Sequence, residues 1–116
     1  HARAANSPHA MAHLGAIDMA LSAAASLLRE TAAAIDLEPD APHATAITRV
    51  RRVMERAATE VIDRVGRALG PGPLCEDGAH AQRCADLTTF LRQSHAERDW
   101  AALGAAAQGR EARWQL

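Results

Sequence analysis

The sequence has no lysine and no tyrosine, and its aromatic residues are one phenylalanine and two tryptophans. All thirteen basic residues are therefore arginine. That uniformity fits a high-GC coding bias more readily than a functional choice, although a guanidinium is also the better partner for carboxylates and phosphates. With so few aromatics, any core must be built from Leu, Ile, Val, Met and alanine. A basic excess is missing too. The formal net charge of -1 gives no field for nucleic acid or for an anionic membrane surface. The two cysteines, Cys75 and Cys84, stand nine apart, which is neither a disulfide framework nor a metal signature. They read as small apolar residues in a reducing cytoplasm. No run approaches the ~20 apolar residues that a membrane-spanning helix needs, and no strand alternation occurs anywhere. The chain opens on His1 with neither an initiator methionine nor a cleavage pattern, as if cut from something longer.

What remains is helical periodicity. At 116 residues the chain holds one core at most. Ser7-Pro8 is a helix start, with Ser as N-cap and Pro where no hydrogen bond is lost. From there Leu14, Leu21, Leu28 and Ile35 recur every seven residues, interleaved with Ile17, Ala24 and Thr31. The helix should end near Asp36-Leu-Glu-Pro39. Asp40-Ala-Pro-His43 opens a second helix whose apolar set is Ile47, Val50, Met54, Ala57, Val61, Val65 and Ala68 or Leu69. Its opposite face carries Arg49, Arg52, Arg56, Arg64 and Arg67. Glu60–Arg64 and Asp63–Arg67 are i,i+4 pairs in the favourable order. Acids interrupt this ladder, so it reads as a solvated or subunit-facing surface.

Gly70 is the C-cap candidate, and Pro71 and Pro73 prevent continuation. Asp77 caps a third helix expected to run to about Leu103, with Gly104 as its stop and residues 105–116 as a tail. The expected fold is all-α: an antiparallel helical bundle of three long helices over residues 1–104, part of a four-helix up-down bundle. Three helices leave one groove open, for a fourth from an upstream segment or another chain.

Candidate chemistry is sparse. His9 and His13 share a helical face, but no third metal ligand stands near. Gly70-Pro-Gly-Pro73 is a turn whose prolines offer no donor to a phosphate. Arg92-Gln-Ser-His-Ala-Glu-Arg98 is denser: Arg92, His95 and Asp99 or Glu97 could form a proton-handling or anion-binding group. A satisfied structural histidine is the competing reading.

The stretch from Arg64 to Gly104 resembles the C-terminal helical domain of acyl-CoA dehydrogenases. It is especially similar to an actinobacterial type ending in a variant of Arg92-Gln-Ser-His-Ala-Glu-Arg-Asp99 followed by Ala-Leu-Gly. The family has a Gln-x-x-Gly-Gly turn, an Arg-Asp pair on the next helix and, in many members, a glutamate base farther along it. Arg67-Ala-Leu-Gly70-Pro71 falls on the turn, Ala85-Asp86 on the Arg-Asp pair and Ser94 on the glutamate. The resemblance implies a domain that drives oligomerisation and lies against FAD and acyl-CoA in the parent enzyme. Cofactor contacts would fall at Arg67, Gly70, Pro71 and Gly72, and catalytic positions at Ser94 and His95.

The departures are substantial: Arg67 replaces glutamine, Pro71 replaces glycine and Ser94 replaces the base. The isolated chain is expected to be inactive and to hold no cofactor or metal. In one reading the base comes from an absent segment. Alternatively the chain is a non-catalytic helical interaction module or subunit, or the parent is a flavin-dependent monooxygenase of the same fold, with His95 as the residue of interest. A homo- or hetero-oligomer without nucleic acid or membrane partners is expected, in the cytoplasm.

Overall fold

The computed structural model describes residues 7–110 and Trp114. Every described element is a helix: α1 (Pro8–Leu37), α2 (Ala44–Leu69), α3 (Gly72–Glu76), α4 (Gly78–Arg92) and α5 (Ala96–Gln108). The all-α expectation holds. The chain is elongated, with principal extents of 51 × 30 × 26 Å.

Local sequence sets most of the helix ends. Ser7 caps α1, its hydroxyl accepting from the Ala10 N–H at 3.0 Å, and Asp77 caps α4 by accepting from the His80 N–H at 3.0 Å. The start of α2 differs from expectation. His43 is its N-cap without a side-chain cap bond, and the His43 ring instead sits 2.6 Å from the Glu38 carbonyl, bracing the link after α1. At the far end of α2, Gly70 adopts φ 71° and ψ -172°, a region open essentially only to glycine. Its N–H still bonds the Gly66 carbonyl at 2.9 Å.

Helices α1 and α2 form an antiparallel hairpin. Ala24 and Ala57 are its most buried apolar residues, at 2% and 5% exposure. Thr31 is buried in the same seam, and Arg64 Nη1 reaches to 3.5 Å from His13 Nδ1 across it. The seam on α1 is thus the row Ile17, Ala24, Thr31. Leu14, Leu21 and Leu28, expected beside it in the core, are 55%, 49% and 45% exposed. On α2, Ile47 and Met54 are likewise about half exposed.

Three further expectations are corrected. The third long helix is broken at Gln93-Ser-His95, where the Ser94 N–H turns back to the Leu91 carbonyl in a tighter spacing, and the chain restarts as α5. Gly104 does not stop that helix, which runs on to Gln108 because nothing obstructs its backbone there and alanines follow. The Gly-Pro-Gly-Pro turn contains a short helix, α3, started by Pro73 near its N-terminus.

Helix α1 is also long and apolar enough, by length and composition, to cross a membrane: an 18-residue window reaches a mean hydropathy of 1.4. The expectation that no run qualifies is corrected accordingly; alanine and serine spacing disguised the segment. In the fold this helix lies along the arginine-bearing α2.

Candidate functional site

The densest polar cluster joins α2 to α5. Asp99, in the first turn of α5 and 8% exposed, receives both arms of Arg51: Nε to Oδ2 at 2.8 Å and Nη2 to Oδ1 at 2.7 Å. Arg52, the next residue, is only 2% exposed. Its Nε lies 2.9 Å from Asp99 Oδ2, placed as an ion pair rather than along a hydrogen bond. Its two remaining nitrogens go to Glu55 and to the Ser94 hydroxyl, which accepts from Nη2. A guanidinium so buried requires this full set of partners, because an unpaired charge at that depth would destabilise the fold severely.

The Arg51 hydrogen bonds hold the Asp99 carboxyl below the usual carboxylate range. Burial opposes them, and the charges of Arg51 and Arg52 reinforce the lowering. The Arg51 guanidinium is raised in turn, chiefly by the same hydrogen bonds. On the outer side of α5, Trp100 stacks under Arg56 with 5.4 Å from the guanidinium carbon to the ring centre. Charge pairing and stacking together seat α5 on α2.

This cluster changes the meaning of the residues singled out above. Ser94 is half buried, and its hydroxyl accepts from Arg52 at the edge of a groove that His95 also lines. His95 is exposed at the N-cap of α5 and makes no side-chain cap bond. The two are neighbours in sequence without forming a hydrogen-bonded pair. Nor do Arg92, His95 and Asp99 gather, since Asp99 turns inward to Arg51 while Arg92 ends α4 exposed.

Arg67 is exposed and pairs with Asp63 at 2.9 Å. Gly70 makes the turn, its N–H used by Gly66, and Pro71 has no N–H, so the turn lacks two donors that a phosphate cradle would use. Gly72 opens the five-residue α3. These four residues form at most one edge of a dinucleotide site. Asp86 accepts from Gln82 at 2.6 Å on the surface of α4. His9 is exposed and His13 faces Arg64; among the described residues no group of three metal-ligating side chains occurs.

The Arg51–Arg52–Asp99 cluster was missed in sequence because its members are far apart in the chain. One signal was available. Asp99 has no arginine three or four positions away, only His95 at the helix N-cap, so an arginine partner had to come from another element.

Above this cluster a groove of about 710 Å³ opens between α2 and α4. Met54 and Ala58 form its floor, and Leu87, Phe90 and Leu91 its wall. Phe90 is 68% exposed. No family model, no curated protein and no solved structure matches the chain.

Proposed function

We propose that this chain is the C-terminal helical part of an acyl-CoA dehydrogenase-like flavoenzyme, an assembly module that is inactive by itself. In the intact cytoplasmic parent it would join subunits and form one edge of the FAD and substrate site. The parent would oxidise an acyl-CoA thioester at its α and β carbons. Ser94, at the position of the family's glutamate, supplies no base for that step and is engaged by Arg52.

The observation that carries the assembly role is surface area. A folded monomer of 12.3 kDa is expected to expose about 6,100 Å². This chain exposes 8895 Å², and half-exposed leucine, isoleucine and methionine side chains run along both helices of the hairpin. The exposed apolar rows within that surface are what a domain presents to its neighbours. The flavoenzyme affiliation is supported by the sequence resemblance from Arg64 to Gly104.

A second reading, a helical interaction module without an enzyme, is favoured by the engagement of Ser94 by Arg52 and the lack of a side-chain hydrogen bond at His95 among the described residues. One preparation separates the two. The native protein, captured from its source cells through this segment, should be several times heavier than 12.3 kDa and carry flavin absorbance. A heavier chain without flavin rejects the enzyme reading. A native mass near 12.3 kDa leaves the interaction module.

A further inference from the structure

The groove is lined by α2, α4, α5 and the link between the last two, and Met54 stands at its apolar floor. Leu14, Leu21 and Leu28 each stand three residues before a seam residue of α1: Ile17, Ala24 and Thr31. Ile47, Met54 and Val61 each stand three residues before Val50, Ala57 and Arg64 on α2. An offset of three residues turns both rows from the seam by the same angle in the same sense. In an antiparallel pair, equal turns bring the two rows to the same side. The α1 leucines and the Met54 row therefore share one side of the hairpin, the side on which the Leu87–Phe90 wall of α4 stands over Met54, and these three rows bound an apolar trough.

The trough has a charged end. Glu55 and Asp99 line it, but their carboxylates are engaged by Arg52 and Arg51. Arg98 and His95 line it as well, and neither has a hydrogen-bond or ion-pair partner among the described residues. The charge left over at that rim is positive. Leu14 to Leu28 spans about 21 Å along the helix, roughly four turns. A small ligand in the 710 Å³ groove would leave this row exposed.

We propose that the trough takes one amphipathic helix, about four turns long, with apolar residues at heptad spacing and carboxylates at the end that meets Arg98 and His95. The inference rests on the reading of this chain as an assembly module and holds whether or not the parent binds flavin.

The test uses the 116-residue chain and two synthetic 21-residue peptides with the same leucine and alanine face. One bears three glutamates at one end and the other three lysines there. The glutamate peptide should bind and gain helix on binding, with an affinity about tenfold above that of the lysine peptide. Arg98→Glu should reverse that order, and Phe90→Glu should weaken both. These positions are exposed, so an unchanged melt of each variant by circular dichroism excludes misfolding as the cause. Binding of neither peptide overturns the proposal. So does equal binding that Arg98→Glu leaves unchanged, or a chain that sediments as a dimer through the trough until Leu21→Glu disperses it. Absence of flavin from the parent would not bear on these results.

Discussion

Asp99 has more structural consequence than any other single side chain described here. Its carboxylate neutralises two adjacent arginines, one of which is nearly inaccessible to solvent. Asp99→Ala would leave Arg52 with Glu55 and Ser94 alone and would release both arms of Arg51. The expected outcome is a fall in Tm of about 10 °C or more, read by thermal circular dichroism. The pH dependence follows from the direction of the shift. A carboxyl held lower in the folded state than in the unfolded chain contributes stability above its ordinary range, near pH 4. That contribution is lost as pH falls through the depressed value. Wild-type Tm should thus decline on acidification below about pH 4, and Asp99→Ala should decline less steeply. Equal slopes would show that the cluster does not sustain the fold.

The hairpin and the turn after it make separate claims at the level of elements. Ala24 and Ala57 are the most buried apolar residues of the hairpin, so Ala24→Asp should abolish the cooperative melt by placing an unpaired charge in the seam. Leu21→Asp, on the half-exposed row, should keep a cooperative melt in the isolated chain. The periodicity alone does not separate these positions, because Leu21 and Ala24 belong to the same apolar face of α1. Which part of a wide stripe touches α2 depends on how closely the helices approach, and the alanines decide that.

At the turn, Gly70→Ala should cost about 1–3 kcal/mol through its backbone conformation. An added Cβ at Gly70 meets nothing within 4 Å, so a steric clash adds nothing to that cost. Chemical denaturation checks the value, and a change within error would mean that the turn relaxes. The glycine was legible in sequence because two prolines follow it. The break at Gln93-Ser-His95 was not, since no proline or glycine marks it. It follows from α5 swinging onto α2 to bring Asp99 to Arg51 and Arg52.

As a whole molecule the chain is more extended than a self-sufficient domain of its length. Its radius of gyration is 17.6 Å, against about 13 Å expected for a compact chain of this size. Much of the apolar side-chain surface faces solvent, which argues for marginal stability in isolation. An environment-sensitive apolar dye should bind the folded chain at neutral pH, and addition of the glutamate-ended peptide should displace it. A folded chain that binds no dye would mean that the exposed rows are covered in solution.

The sequence by itself determined the class of structure and the positions of most helix ends. Periodicity of apolar residues and capping by Ser7, Asp77 and Gly70 are local properties, written within a few residues of where they act. Tertiary structure decided which residues became interior. Arg52 is typed as a surface residue on the ladder of α2, yet it is buried because three partners from α2, α5 and the link before α5 surround its charge. Ser94 and Asp99 acquired structural roles by the same long-range pairing. Leu14, Leu21 and Leu28 remained outside because α2 packs against the neighbouring row and α4 stands away from α1. Hydrophobicity identifies side chains that favour burial, and only the arrangement of elements determines which of them obtain it.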